Sequence, residues 1–209
     1  MVSGSSPSYP PTPHLKRVMV FIDGGYFRKI LQDYFGEDIN SDPKRIAKPI
    51  ELIANQINNP DMFPNIFPHS KIEILRIYYY DGLVQTDDTT YPEKIKFFKE
   101  LRSNFSANCP LEIKFGRLIK GEDGKYRQKG VDVLLSIDMV VKAFQDHYDL
   151  SLLIAGDDDF VDAVKVVKDL TGKRIIGFIK PEITSSRLIE CFDYRFPNLP
   201  QPFFGGFKI

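Results

Sequence analysis

Two rhythms of apolar residues alternate along this chain. Short, uninterrupted apolar runs rich in β-branched residues give way to longer stretches in which apolar residues recur every three or four positions. The runs are RVMVFID, ending at Asp23; KIEILRIYYYDG, ending in Tyr80-Asp81-Gly82; LEIKFGRLIK; DLSLLIAG, just before Asp157; and KRIIGFIK. They predict strands, the apolar ones buried on both faces. The longer stretches predict helices. YFRKILQDYFG places Tyr26, Phe27, Ile30, Leu31 and Tyr34 on one side, with Gly36 as a stop. PKRIAKPIELIANQI follows, and Pro49 is expected to kink that helix or delay its start. PEKIKFFKELRSNF, VDVLLSIDMVVKAFQ, FVDAVKVVKDLTG and a short SSRLIECF complete the set. GEDGKYRQ reads as a turn with a hairpin extension, and the proline-punctuated NNPDMFPNIFPHS as an irregular insertion.

Strands alternating with helices predict an α/β fold of three layers: a mainly parallel central sheet with helices on both faces. A chain of 209 residues suits one domain. The expected organisation is a Ser/Pro-rich tail over residues 1–15, the domain over 16–193, and an aromatic, Pro/Gly-rich tail over 194–209. Phe203, Phe204 and Phe207 make that last segment a candidate homodimer contact, since an apolar tail left in water is a liability. Hydrophobic residues make up 43% of the chain, enough for a core. Lys+Arg and Asp+Glu are both 28, which argues against attachment to nucleic acid by bulk charge alone. Cys109 and Cys191 lack metal-ligand spacing, no apolar run reaches membrane-spanning length, and the N-terminus lacks a secretory pattern. A cytoplasmic protein without a membrane partner is expected.

Ligands of parallel sheets bind beyond the carboxyl ends of the strands, and Asp23, Asp81 and Asp157 all sit where strands run out. Each acid has an ordinary explanation: Asp23 a tight turn with Gly24 and Gly25, Asp157 a helix N-cap, Asp132, Asp158 and Asp159 first-turn acids that complement a helix dipole. Together these explanations weaken. One helix start does not need three consecutive acids, and an unpaired carboxylate at the end of a central strand is costly. A hard divalent cation, Mg²⁺ or Mn²⁺, resolves both problems and supplies the chemistry of phosphodiester hydrolysis. Asp158 is expected to point away from the others at helical pitch. Asp138, six residues beyond Asp132, is either a surface charge or a buried acid bonded to a neighbouring loop.

VFIDGGYFRK, YYYDG, QKGVDVLLSIDMV and LLIAGDDDFVDAV, in this order, resemble the NYN domain, and more closely its LabA-like branch. The resemblance runs from about Lys16 to Lys180. It implies a PIN-like nuclease fold, Rossmann-like in its layering, and cleavage of RNA with Mg²⁺ or Mn²⁺. It also implies that Asp23, Asp132, Asp157 and Asp159 are the catalytic acids, with Asp23, Asp132 and Asp157 as metal ligands. Many NYN domains carry Asn where this sequence has Tyr26; the LabA-like branch tolerates this GGY variant.

Lys129, Arg127, Gly24 and Tyr26 are candidate substrate contacts, with Asp81 and Asp138 as secondary site candidates. Arg117, Lys120 and Lys125 join Arg127 around the hairpin, and Lys94, Lys96, Lys99 and Arg102 share one helix; both sets could contact phosphates or simply face solvent. The expected function is hydrolysis of single-stranded RNA by a metal-dependent nuclease. The alternative is a non-catalytic regulator that binds RNA or a protein on the same fold. A dehalogenase-type phosphatase lacks its second Asp, and a dinucleotide enzyme its GxGxxG turn.

Overall fold

The computed structural model describes residues 14–36, 39, 42–57 and 70–197. The Pro-rich stretch 58–69, residues 1–13, and the tail carrying Phe203, Phe204 and Phe207 lie outside the described residues. In chain order the elements are β1 (His14–Asp23), α1 (Gly24–Phe35), α2 (Lys44–Ile57), β2 (Ser70–Leu83), α3 (Tyr91–Ser103), β3 (Leu111–Lys120) and β4 (Tyr126–Lys129). Then come α4 (Val131–Phe144), β5 (Leu150–Ile154), a 3-10 turn (Asp158–Phe160), α5 (Val161–Thr171), β6 (Arg174–Ile179), α6 (Ser186–Cys191) and β7 (Tyr194–Pro197).

The strands form one sheet in the order β4-β3-β2-β1-β5-β6-β7, parallel except for the β3–β4 hairpin. The expected three-layer α/β architecture is what the chain adopts. β1 is central because its apolar run can face two cores at once: Val18, Val20 and Ile22 pack toward α1 and α2, while Met19 and Phe21 pack toward α4. The tyrosine run obeys the same period, with Tyr79 on the α1 side and Tyr78 and Tyr80 on the α4 side, all buried.

Helix α1 starts on the Asp23 side chain and stops at Gly36, whose φ of 68° is the left-handed conformation a C-cap needs. Helix α2 begins at Lys44 and runs on through Pro49, so the proline does not delay it. On α4, Val131, Leu135, Met139 and Ala143 form the buried stripe, while Val133, Ile137, Val141 and Phe144 face outward. β7 was not apparent in the sequence. Its four residues pair with β6 and carry the sheet past residue 193, and β1 begins at His14, inside the segment read as a tail. No helix among the described residues is long and apolar enough to cross a membrane.

From β1 the chain first builds outward on one side, to β2, β3 and β4. It then crosses beneath the sheet through α4 and builds outward on the other side, to β5, β6 and β7. The reversal leaves a crevice between the carboxyl ends of β1 and β5, the place where such sheets bind ligands.

Candidate active site

Asp23 is the last residue of β1, and its ladder partners are Tyr80 on β2 and, one residue earlier through Ile22, Ile154 on β5. Only 6% of it is exposed. Its Oδ1 accepts from the backbone N–H groups of Gly25 (2.9 Å) and Tyr26 (3.4 Å), capping α1. No donor among the described residues reaches Oδ2. Burial, then the nearby charge of Asp132, push the carboxyl up to about 7; the two cap bonds pull the other way and Asp157 adds a further push.

Asp132 lies in the first turn of α4, which Gly130 opens with a φ of 79° and no side-chain cap. Burial raises its pKa, and the charges of Asp157 and Asp159 add to that. Asp157 follows β5 with extended backbone (φ −87°, ψ 152°) at the head of the 3-10 turn. That is an N-cap position, yet the side chain makes no cap bond, so capping does not account for this acid. Asp159 is exposed, and its carboxylate, like those of Asp132 and Asp157, has no basic partner among the described residues. Asp158 is the exception. It bonds Ser185 and pairs with Arg187 (3.0 Å) at the start of α6.

Four carboxylates from three distant segments thus repel one another at the β1/β5 crevice. Among the described residues they do not close into a ready-made metal cage. The donor set still suits a hard cation that keeps much of its water, because the oxygens are anionic, largely uncommitted and under mutual repulsion that positive charge would relieve. A cavity of about 510 Å³ adjoins Asp132 and Asp159, bordered also by Asp158, Asp162 and Arg187.

Other candidates have different work. Asp81 is buried and saturated: Arg28 grips it with both terminal nitrogens, Gln128 Nε2 donates at 2.9 Å and the Gly82 N–H at 2.7 Å. Asp138 is neither a free surface charge nor bound to a loop. Tyr80 donates to it at 2.8 Å, and Lys114 and Lys142 flank it at 2.5 and 3.6 Å. Gly24 and Tyr26, expected among the substrate contacts, both make packing contacts in the fold. Gly24 lies against the Tyr79 ring, where a Cβ would come within 2.7 Å. Tyr26 is 7% exposed, its ring fills the space beside Gly156, and its hydroxyl bonds Thr184 Oγ1 (2.5 Å) and the Lys180 N–H (2.9 Å). Arg127 and Lys129 are exposed on β4. Arg127 pairs with Asp123, and neither pairs with the four acids. Two residues that sequence reasoning passed over border the site, Gln128 and Arg187; the QKGVDV motif contained the first, and nothing in the sequence singled out the second.

The sequence model of the NYN domain matches residues 17–199. Among solved structures, the crystal structure of VPA0982, a protein of unknown function from Vibrio parahaemolyticus, is similar to this chain with a TM-score of 0.60 and 18% identity. The similarity covers 90% of this chain and 95% of that one, a likeness of fold. No curated protein sequence matches the chain.

Proposed function

The chain belongs to the NYN domain family of PIN-like nucleases, and from that premise we propose that it is a Mg²⁺- or Mn²⁺-dependent nuclease of the LabA-like branch, acting on single-stranded RNA. One observation carries the reading. Among the described residues, Asp23, Asp132, Asp157 and Asp159 act on one another electrostatically at the switch point and none is paired with a basic side chain, Arg187 being taken up by Asp158. Such a charge cluster costs stability unless a ligand offsets it.

Asp23, Asp132 and Asp157 would hold the divalent ion. When bound, that ion supplies charge to orient a phosphate and to acidify a water. The chain's own residues do the rest. Asp159, exposed and outside the proposed ligand set, would take a proton from the attacking water as its oxygen bonds to phosphorus and the ester phosphorus–oxygen bond breaks, the leaving oxygen taking a proton from solvent. The bonds from the Gly25 and Tyr26 N–H groups hold the Asp23 carboxylate against the start of α1. Arg127 and Lys129, exposed on the β3–β4 hairpin, would meet a phosphate backbone, which gives affinity without sequence preference. Two free cysteines agree with a reducing cytoplasmic setting.

The test is incubation of end-labelled single-stranded RNA with the protein and Mn²⁺. Wild type is expected to release fragments and Asp157→Asn to release none. Equal fragment yields, or intact RNA with both, refute cleavage at this site. The buried Tyr26 at the position of the usual amide favours one other reading, a non-catalytic RNA-binding regulator. Tight RNA binding without turnover, unchanged in Asp157→Asn, supports that alternative.

A further inference from the structure

Gln128 is an exposed residue of β4 whose side chain does not run out into water. It crosses Leu118 and passes over Gly82, where a Cβ would sit 3.0 Å from its Cγ, to reach Asp81 on β2. Asp81 is already held by Arg28 and the Gly82 N–H, and Arg28 is in turn bonded to the Tyr79 hydroxyl in the core. An ionised carboxylate only accepts hydrogen bonds, so Gln128 must present its Nε2 to Asp81. The sense of the amide is therefore fixed, and Oε1 is turned the other way. It faces the first turn of α1. There, the Cβ that Gly25 lacks would lie 3.3 Å from Asp23 Oδ1 and 3.6 Å from Gln128 Oε1. The missing side chain leaves a gap bordered by two oxygens, one from each residue.

We propose that Gln128 is a positioning residue of the acidic site: clamped by Asp81 and Arg28, it contributes a neutral carbonyl oxygen beside Asp23 to the seat of a divalent cation, and Gly25 keeps that seat open. The proposal rests on the acidic site binding such a cation. A carbonyl suits the place because it adds an oxygen without adding to the negative charge already gathered there. Groups just outside a metal's direct ligands typically alter its affinity by tenfold or more. The Tyr79–Arg28–Asp81 chain anchors this oxygen to the buried sheet, as a metal's supporting groups require.

Mn²⁺ titration, followed by the electron paramagnetic resonance signal of the free ion, tests this on the full chain. Asp23→Asn is expected to abolish tight binding. Gln128→Met, equal in length but without the amide, is expected to weaken binding about tenfold. Its Tm should fall by only about 3–6 °C, the cost of one lost bond to Asp81, which Arg28 and the Gly82 N–H continue to hold. Gly25→Ala is expected to weaken binding severalfold while leaving Tm unchanged or raised, since Ala is the better helix residue. Wild-type Mn²⁺ affinity in either Gln128→Met or Gly25→Ala, with binding lost in Asp23→Asn, overturns the proposal and leaves the acidic site standing. No Mn²⁺ binding by wild type, or undiminished binding by Asp23→Asn, overturns both.

Discussion

Replacing Asp23 by Asn should stabilise this protein in the absence of metal, although it alters the most deeply buried acid of the site. A carboxyl pushed from 3.8 to about 7 keeps its proton in the folded state over a range where the unfolded chain has lost it. Stability therefore falls as pH rises from about 4 to about 7 and levels off above that window; the full penalty is about 4 kcal/mol. One smaller effect opposes it. The negative charge interacts favourably with the start of α1, by about 1 kcal/mol. The cap bonds to Gly25 and Tyr26 survive, because Asn caps as well as Asp. Desolvation and repulsion thus win, and Asp23→Asn is expected to exceed wild type by about 2–3 kcal/mol at pH 8. Urea unfolding in EDTA at pH 5 and pH 8 measures this, with wild type losing stability between the two and the variant losing less. Mn²⁺ at a hundredfold excess over its dissociation constant should then return about 2.7 kcal/mol to wild type only. A variant less stable than wild type at pH 8 would mean that Asp23 is chiefly a cap, and the reasoning fails.

Three further outcomes separate structural acids from functional ones. Asp157→Ala should change stability by no more than about 0.5 kcal/mol in urea unfolding, because its side chain makes no cap bond, yet it should lose Mn²⁺-dependent RNA cleavage. Asp81→Asn should cost about 3–5 kcal/mol in the same assay, because it strands the half-buried Arg28 without its counter-charge. Tyr26→Phe should cost about 1–2 kcal/mol through the lost bonds to Thr184 and the Lys180 N–H, with Mn²⁺ affinity unchanged by titration.

Much of this architecture could be read from local pattern. β1 and β5 announce themselves as apolar runs, and the parallel-sheet rule alone draws Asp23 and Asp157 to one rim. Asp132 was different: a first-turn acid looks the same whether it faces a dipole or a crevice, and only the family resemblance distinguished it. The packing role of Tyr26 was not legible because its hydroxyl partner, Thr184, belongs to a loop from the far end of the chain. Gln128 was invisible for a related reason. Its reach to Asp81 depends on the β2–β3–β4 register and on the small side of Gly82, neither of which leaves a local trace. β7 escaped notice because four residues are too short to establish a period. Asp138 had two explanations in the sequence, and the structure supplied a third, an ion network between α4 and the sheet.

The central place of β1 also has a consequence for the order of assembly. Its β2 neighbour arrives early in synthesis, but its β5 neighbour comes from the second half of the chain. Long-range pairings of this kind are slow to form. The mutually repelling acids are kept apart until β5 docks, so no partly built form with an open β1 edge carries the complete cluster. Regain of Mn²⁺ binding during refolding would therefore clock the closure of the β1–β5 ladder.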